Sequence, residues 1–400
     1  MNKAFINAIP LLKQIEDAGF EAYFVGGSIR DFLLKKEIAD VDITTSATPE
    51  EVKGIFKKTI DIGIEHGTVA VIWDQTIYEI TTFRKDAAYV DHRRPSEVSF
   101  IRSLYEDLKR RDFTMNAIAM NWKGEIIDPF HGQEAIKKMI IQAVGNPEER
   151  FSEDALRMMR AVRFVSQLGF TIDKRTSLAL YTYGHLLEKI AVERKTVEFE
   201  KLLGGQDRIR AFKVLLNSEI YRFLPGLINQ EKAINNLLKV KCTSLNVEEM
   251  WSLLLYLMEK INKEAARSFL REWKLPVQKM KRLQSILHWL VFRHQNRWTN
   301  QTLYEATLEI ALSCERIFNV LQGVSCQIGN EELVEMFHRL PIKDRKDITV
   351  TGNDLIEWYH MTGGAWIKDL LNNVEKAILS GEIMNDREII KEWLFKCNRK

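Results

Sequence analysis

A change in periodicity near residue 146 constrains the fold of this chain more than any other sequence feature. Before that point, a helical pattern over Ala4–Ala18 is followed by short apolar runs typical of strands. These runs are Ala22–Val25, Val41–Thr44, Val69–Trp73, Ile77–Thr82 and Ile126–Asp128. Helical patterns such as Pro49–Lys57 and Ser103–Arg110 lie between them. The alternation predicts an α+β or α/β layout around a small sheet. Of the two, we expect an α+β head with a small mixed sheet.

After about residue 146 the strand pattern disappears and amphipathic stretches with helical spacing take over. These stretches are Glu153–Leu168, Val192–Leu203, Val247–Met258, Glu264–Lys274, Val277–Phe292, Leu303–Gln322 and Glu331–Leu340. Glycine and proline breaks separate them, as at Gly204-Gly205 and Pro225-Gly226. We therefore expect an elongated, all-α region to follow the α+β head.

The composition excludes several classes of protein. Of the 400 residues, 46% are hydrophobic and 28% are charged, which is typical of globular rather than disordered chains. No apolar run approaches the roughly 20 residues that span a bilayer, and the opening MNKAFINAIP lacks a signal-peptide pattern. The four cysteines form no CxxC pair, which excludes a zinc ribbon and favours a reducing cytoplasm. The net charge of +3 permits nucleic acid as a partner without requiring it.

Two glycines follow the first predicted strand, in Val25-Gly26-Gly27-Ser28. We expect the strand to end there and a helix to begin at Ser28. Glycines let the backbone approach an anion closely, and the first amides of a helix point their N–H groups towards it. For Gly-Gly taken alone, a simple turn is the more common alternative.

Two aspartates alternate with apolar residues in Asp40-Val41-Asp42-Ile43. Residues i and i+2 of a strand share a face, so Asp40 and Asp42 project together while Val41 and Ile43 face the core. Two neighbouring carboxylates repel unless a cation bridges them, and Mg²⁺ takes such oxygen ligands together with substrate phosphates. The alternative for this pattern alone is a solvated strand edge.

Together, the glycine turn and the aspartate pair resemble the DNA polymerase β-like nucleotidyltransferase superfamily. In that layout two metals clamp the attacking hydroxyl and the leaving pyrophosphate. The superfamily normally has a third acidic residue on a neighbouring strand. Glu79 is the candidate here, with an edge-strand surface charge as its alternative.

Five further motifs follow one another along the chain: Arg110–Ala117 (RRDFTMNA), Asp128–Gly132 (DPFHG), Glu153–Phe164 (EDALRMMRAVRF), Glu193–Leu203 and Thr351–Trp366. Together they resemble the class II tRNA nucleotidyltransferases, the CCA-adding enzymes of Bacillus type. The resemblance covers nearly the whole chain. It implies addition of C, C and A to the tRNA 3′ end from CTP and ATP, with Mg²⁺ as cofactor and release of pyrophosphate. Rival functions are an A-adding-only enzyme, a poly(A) polymerase and a non-catalytic RNA-binding protein.

The resemblance also implies roles for particular residues. It places magnesium at Asp40 and Asp42 and a ribose contact at Asp112. It places nucleotide contacts at Gly27, Arg30, Arg111, Asp154, Arg157, Arg160 and Arg163. We expect four parts: a catalytic head (1–145), a neck with the nucleotide-selecting helix (146–205), a helical body (206–300) and a tRNA-binding tail (301–400). The family further suggests a homodimer formed through the helical half.

Base selection can be argued from the residues themselves. Asp154 and Arg157 are three residues apart, which predicts that they are neighbours on one helical face. A carboxylate only accepts hydrogen bonds and a guanidinium only donates them, so the pair complements cytosine and adenine but not uracil or guanine. A surface salt bridge is the common alternative for this spacing.

Two basic segments remain. Arg84–Pro95 is either a solvated loop or, as in the family, a lever used when addition switches from C to A; the family's CC-adding members tend to shorten it. Lys274–Arg282 either contacts tRNA phosphates or forms a solvated helix face.

Overall fold

The computed structural model describes residues 2–86, 89–90, 94–95 and 98–397. They divide into two compact units. The first comprises Met1–Ile234 with Glu272–Lys274, and the second comprises Asn235–Arg271 with Leu275–Lys400. No helix in the described ranges is both long and apolar enough to cross a membrane.

The strands lie almost entirely in the first part of the chain. They are β1 (Ala22–Val25), β2 (Asp42–Thr45), β3 (Thr59–Gly63), β4 (Thr68–Trp73), β5 (Thr76–Thr82), β6 (Arg84–Asp86), β7 (Tyr89–Val90), β8 (Arg94–Pro95), β9 (Val98–Phe100), β10 (Ala119–Met120), β11 (Ile126–Ile127), β12 (Ile140–Ile141) and β13 (Thr171–Ile172). Seven of them form one mixed sheet in the order β11-β10-β1-β2-β5-β4-β3. The predicted α+β head with a small mixed sheet is therefore confirmed.

The centre of this sheet positions the predicted acidic residues. β2 pairs with β5 in parallel, with Ile43 opposite Ile80, and both of these side chains are buried. Val41 is buried as well, as the alternation predicts. Because paired positions of neighbouring strands point to the same face, the exposed Asp42 and Glu79, one residue earlier on each strand, lie side by side.

Helices make up most of the remaining chain. They are α1 (Lys3–Asp17), α2 (Gly27–Leu33), α3 (Pro49–Ile55), α4 (Leu104–Lys109), α5 (Gly132–Lys137), α6 (Pro147–Glu153), α7 (Leu156–Leu168), α8 (Lys174–Tyr183), α9 (Val192–Leu203), α10 (Arg208–Asn217), α11 (Glu231–Leu237), α12 (Val247–Leu257), α13 (Lys263–Glu272), α14 (Val277–Gln295), α15 (Asn300–Ala306), α16 (Leu308–Leu321), α17 (Asn330–His338), α18 (Gly352–Tyr359), α19 (Ala365–Leu379) and α20 (Arg387–Cys397). The predicted helical second half is confirmed.

Three details of the sequence prediction are wrong. Leu303–Gln322 is two helices, because Thr307 has a positive φ of 69° that no continuous α-helix allows. Strand pairing does not stop at residue 146, since Thr171–Ile172 pairs in parallel with Ile140–Ile141. The stretch Arg84–Pro95 is not wholly a loop: β6 pairs with β9 and β7 with β8, while residues 87–88 and 91–93 lie outside the described part.

Candidate active site

A cleft of about 630 Å³ in the first unit contains most of the predicted site residues. The charges that line it are eight arginines and one lysine against three aspartates: Arg30, Arg84, Arg110, Arg111, Arg157, Arg160, Arg163, Arg194, Lys201, Asp42, Asp112 and Asp154. This excess of positive charge in a concave surface favours a polyanionic ligand such as a triphosphate.

The glycine turn forms part of the cleft wall. Gly26 has a φ of 69°, which strains any residue with a Cβ, and α2 begins directly after it, at Gly27. A Cβ on Gly26 would lie 3.2 Å from Arg111 Nη1 and 3.4 Å from Asp42 Oδ2. The missing side chain therefore allows a guanidinium and a carboxylate to approach the backbone together.

The predicted catalytic carboxylates converge around Asp42. Asp42 opens β2, Asp40 precedes the strand, and Glu79 lies beside Asp42 on β5. The Asp42 residue is exposed, but the surrounding protein partly desolvates its carboxylate and raises its pKa; Arg111 opposes that shift, and Glu79 and Asp40 add to it. The group thus carries an unfavourable concentration of negative charge that a bound cation would relieve.

Asp40, Asp42 and Glu79 could hold a divalent cation if a bound substrate and water supplied the other ligands. Within the described ranges, no three His, Cys, Asp or Glu side chains are arranged to hold a metal ion by themselves. Magnesium, however, is commonly bound by one or two carboxylates and completed by substrate phosphates and water. Asp40 and Asp42 supply hard oxygen donors of that kind beside the cationic cleft.

A buried carboxylate fixes two of the cleft arginines. Asp107 is fully buried, and it accepts hydrogen bonds from Arg110 Nη2 at 2.7 Å and from Arg111 Nη2 at 3.0 Å. Burial alone would raise the pKa of Asp107, but the two guanidinium groups outweigh it and hold the pKa below its usual value. Asp107 is therefore an ionised anchor that the sequence analysis did not identify.

A second buried carboxylate, Asp112, fixes Arg160. Its Oδ2 accepts from Arg160 Nε at 2.7 Å, and its Oδ1 accepts from Asn116 Nδ2 at 3.1 Å and from the Phe113 amide at 2.8 Å. Burial opposes ionisation, yet Arg160 and Asn116 lower the pKa of Asp112 to about 2. Most of its acceptor capacity is used by protein groups, so its main contact here is Arg160 rather than an open position for a ribose hydroxyl.

Three of the cleft arginines gather around Phe164. The guanidinium carbons of Arg163, Arg30 and Arg160 lie 4.2, 5.2 and 5.7 Å from the ring centroid, within the range of cation–π contacts. Arg163 also pairs with Glu198 at 3.0 Å, and burial lowers the pKa of Arg163 to about 10. It stays charged at neutral pH. An aromatic surface and neighbouring acids therefore hold these cations close together.

The prediction of one helix through Glu153–Phe164 is wrong at Asp154. α6 ends at Glu153, Asp154 has extended backbone with φ −137° and ψ 100°, and α7 begins at Leu156. The Asp154 carboxylate accepts from the Leu156 amide at 3.1 Å, which satisfies a donor at the start of α7 and competes with helical continuation. Asp154 and Arg157 are therefore not neighbours on one helical face.

These two residues have separate charged partners. Asp154 Oδ2 accepts from Arg194 Nη2 at 2.9 Å, whereas Arg157 Nη1 donates to Glu153 Oε2 at 2.7 Å. Arg157 also donates to two backbone carbonyls, at 3.2 and 2.8 Å. Both side chains nevertheless line the same cleft.

Most predicted site residues line this cleft. Asp40 and Glu79 do not line it, but their charges act on Asp42, which does. Lining residues that the sequence analysis did not single out are Arg84, Arg110, Asn116, Leu156, Phe164, Gln167, Arg194 and Lys201. Several of them lie inside the segments that carry the family resemblance. The sequence does not show which residues they contact, because those contacts join positions far apart in the chain.

Three family models match consecutive parts of the chain. "Poly A polymerase head domain" matches residues 22–142, "Probable RNA and SrmB- binding site of polymerase A" matches residues 169–230, and a model of tRNA nucleotidyltransferase domain 2 matches residues 243–394. The first match contains the glycine turn, Asp40, Asp42 and Glu79.

Full-length relatives agree with these models. A CCA-adding enzyme of Geobacillus sp. (strain WCH70) is 46% identical over 100% of this chain and 98% of its own length. One from Bacillus cereus (strain 03BB102) is 45% identical over 98% of this chain and 99% of its own. The crystal structure of the Bacillus stearothermophilus CCA-adding enzyme in complex with CTP superposes with a TM-score of 0.93 at 45% identity, covering 100% of this chain and 98% of that one. The chain therefore belongs to the CCA-adding enzymes, a family of tRNA nucleotidyltransferases.

Proposed function

We propose that this enzyme adds C, C and A in turn to the 3′ end of tRNA, using CTP and ATP and releasing pyrophosphate. The observation that carries the proposal is the cationic cleft, which places Asp42 and the glycine turn on the same wall. Such a wall suits a nucleoside triphosphate whose phosphates face the carboxylates. The tRNA 3′ hydroxyl gives its proton to a carboxylate or to solvent, its oxygen attacks the α-phosphate in line, and the bond from the α-phosphorus to pyrophosphate breaks.

Asp40 and Asp42 would hold the metal, with Glu79 as a third carboxylate beside Asp42. Nucleotidyltransferases generally use divalent metal ions, and we propose Mg²⁺ because the donors are hard oxygens. When bound, the ion neutralises developing charge on the α-phosphate and on the attacking and leaving oxygens. The raised pKa of Asp42 supports this assignment, since a cation would favour its ionised form.

The arginines would bind the triphosphate in a fixed geometry. Arg30, Arg111, Arg160 and Arg163 are each held by an acid or amide partner, which limits the rotamer freedom lost on binding. Guanidinium groups also match phosphate oxygens with paired N–H donors. Because Asp112 is occupied by Arg160, we propose that it acts mainly by positioning that arginine, with the ribose contact secondary.

Base selection would use the hydrogen-bonding capacity that Asp154 and Arg157 have left beside their present partners. A carboxylate accepts about four hydrogen bonds and a guanidinium donates five; Asp154 uses two and Arg157 uses three. Asp154 can therefore accept a hydrogen bond from the amino group of cytosine or adenine, while Arg157 donates one to the acceptor nitrogen of the ring. Uracil and guanine would leave these groups unpaired, at about 1–3 kcal/mol for each.

Other parts of the sequence interpretation stay proposals. They are the four-part division at residues 145, 205 and 300, tRNA binding by the 301–400 tail, a homodimer and a cytoplasmic location. Sedimentation of the purified enzyme at several concentrations would test the homodimer.

Stepwise incorporation tests the proposed function. tRNA transcripts would end at the discriminator base, after the first added cytidine or after the second, and labelled CTP and ATP would be supplied separately and together. We expect CTP to extend the bare end by two residues and ATP to add one thereafter. Asp40→Ala is the inactive control.

The rival functions give different products. Extension of only the transcript that ends in both cytidines would identify an A-adding enzyme, and a long adenosine tail would identify a poly(A) polymerase. No incorporation by a folded, tRNA-binding protein would identify a non-catalytic RNA-binding protein. An active Asp40→Ala variant would contradict the metal assignment.

A further inference from the structure

Helices α7 and α9 run side by side along the active-site cleft, and both contribute lining residues. Asp154, just before α7, pairs with Arg194, near the start of α9, at 2.9 Å. Ser166 Oγ, near the end of α7, donates to the Leu202 carbonyl, near the end of α9, at 2.6 Å. Because one contact joins the two starts and the other joins the two ends, the helices run in the same direction.

The lining residues of α7 follow one another along the cleft. Four of them are spaced by three or four residues and therefore share one face of the helix: Arg157, Arg160, Phe164 and Gln167. At 1.5 Å per residue, Gln167 lies about 15 Å along the helix axis from Arg157. An extended nucleoside triphosphate, with its base at one end and its terminal phosphate at the other, has a comparable length.

The glycine turn indicates in which direction a triphosphate would lie along α7. Helix α2 begins at this turn, and the guanidinium carbon of its Arg30 lies 5.2 Å from the Phe164 ring centroid, which Arg160 also contacts at 5.7 Å. The proposed function places the base at Asp154 and the phosphates at the turn and these arginines. This order brings the last phosphate past Phe164, to the end of the cleft at Gln167.

Lys201 lies beside Gln167 at this end of the cleft. Gln167 follows Ser166 and Lys201 precedes Leu202, so the 2.6 Å contact between Ser166 and Leu202 keeps the two residues near each other. Both line the cleft and both are exposed, and neither side chain has a hydrogen bond or ion pair with the described residues. A cation and an amide donor are therefore available where the terminal phosphate would lie.

The arginines of the cleft differ from Lys201 because they have partners within the protein. All eight have one: Arg30, Arg84, Arg110, Arg111, Arg157, Arg160, Arg163 and Arg194. Fixed guanidinium groups suit the phosphate that reacts, because its alignment matters. A lysine ammonium is a point charge on a flexible stem. It suits the terminal phosphate, which takes no part in the bond that forms or in the bond that breaks.

We infer that Lys201, assisted by Gln167, binds the terminal phosphate of the nucleoside triphosphate and thereby distinguishes triphosphates from diphosphates. The inference rests on the proposed function, because it takes CTP and ATP as the substrates. Lys201 Nζ donates a charge-assisted hydrogen bond to this phosphate, and Gln167 Nε2 donates a neutral one. Both contacts also hold the leaving group, since the terminal phosphate leaves as half of pyrophosphate.

Titration calorimetry with CTP and with CDP tests this assignment, because the two ligands differ only in the terminal phosphate. We expect Lys201→Gln to weaken CTP binding about tenfold and to leave CDP binding within about twofold, since a charge-assisted hydrogen bond to the third phosphate is lost. ATP and ADP should show the same pattern, because the base is not involved. Gln167→Ala should weaken CTP binding about threefold. Lys201→Arg keeps the charge and should bind CTP within about threefold of the unmodified enzyme.

Lys213→Gln is the matched control. Lys213 is exposed on α10, does not line the cleft and has no ion pair with the described residues. The substitution removes the same charge from the same unit, so a general loss of positive charge would affect it equally. We expect its affinities for CTP and CDP to stay within about twofold of those of the unmodified enzyme. Circular dichroism should show that every variant keeps the unmodified fold.

Other outcomes would overturn the inference. Unchanged CTP affinity in Lys201→Gln would exclude Lys201 from the triphosphate site. Equal losses for CTP and CDP would mean that Lys201 acts on an inner phosphate or on the cleft as a whole. Equal losses of CTP affinity in Lys201→Gln and Lys213→Gln would show a diffuse electrostatic effect. If the variants bind as expected but the unmodified enzyme incorporates no nucleotide into tRNA, the proposed function fails while the terminal-phosphate assignment stands.

Discussion

The two concave surfaces of this molecule hold their cations in opposite ways. In the active-site cleft, Arg110, Arg111 and Arg160 are fixed by buried aspartates. In a groove of about 620 Å³ between α13 and α14, the lining cations are exposed and have no carboxylate partner among the described residues; they are Lys263, Arg267, Arg271 and Lys281. Fixed guanidinium groups suit a small ligand that must be aligned for reaction. Unpaired, exposed cations keep their rotamer freedom and hold no ligand group in a fixed alignment.

The largest effect should come from the carboxylate that faces the cleft. We expect Asp42→Asn to reduce nucleotide incorporation at least ~1,000-fold, the order of magnitude lost when a group that stabilises transition-state charge is removed. The variant should fold normally because Asp42 is exposed. Asp61→Asn, on the exposed surface of β3, is the matched control and should retain activity. Residual activity of Asp42→Asn near that of Asp61→Asn would exclude Asp42 from the chemistry.

Loss of a buried anchor should affect stability as well as activity. Asp107→Asn removes the charge that holds Arg110 and Arg111, and we expect it to lower the free energy of unfolding by about 3 kcal/mol. Arg267→Glu in the groove should change it by less than about 0.5 kcal/mol. Urea denaturation of both variants measures the difference. Equal effects would mean that the two surfaces are not organised differently.

The pH dependence of stability should report the second anchor. The pKa of Asp112 is lowered from 3.8 to about 2 in the folded protein, so its ionised form stabilises the fold above pH 4. That contribution, about 2 kcal/mol, should be lost as the pH falls from 4 through 2. Unfolding measured over this range should therefore be less pH-dependent in Asp112→Asn than in the unmodified enzyme. An identical pH profile would show that Asp112 is not ionised through Arg160.

Arginine-to-lysine substitutions should separate the contribution of guanidinium geometry from that of positive charge. Arg160→Lys keeps the charge but loses the paired N–H geometry, and we expect it to reduce kcat/KM for CTP about tenfold. Arg267→Lys, at an exposed cation without a carboxylate partner in the described residues, should leave kcat/KM for CTP within about twofold. A larger loss in Arg267→Lys than in Arg160→Lys would contradict the distinction between fixed cations in the cleft and unpaired cations in the groove.

Local patterns in the sequence were sufficient to predict much of the fold. Alternation around Asp42 predicted which side chains are buried, and the glycines at 26–27 predicted the turn, because both signals act over a few residues. The break at Asp154 was missed, since the apolar period continues through it and the interruption comes from one carboxylate binding the Leu156 amide. The spacing of apolar residues does not reveal that the Asp154 side chain interrupts the helix by binding a backbone amide.

Long-range partners limited the prediction of the site. Asp107 resembles an ordinary surface acid of a short helix, yet it is fully buried beneath two arginines. The contacts of Asp112 with Arg160 and of Asp154 with Arg194 join residues 48 and 40 positions apart. The sequence analysis singled out Asp112, Arg160 and Asp154 but not Asp107 or Arg194, and the pairing of all five depends on how the helices pack.

Nucleotide binding in the absence of RNA tests the central claim most directly. If Asp154 and Arg157 select the base without a template, titration calorimetry of the free enzyme should show CTP and ATP binding at least about tenfold more tightly than UTP and GTP, since each unpaired polar group costs about 1–3 kcal/mol. The preference should disappear in Asp154→Ala. Equal affinities for the four nucleotides in the unmodified enzyme would contradict selection by this cleft.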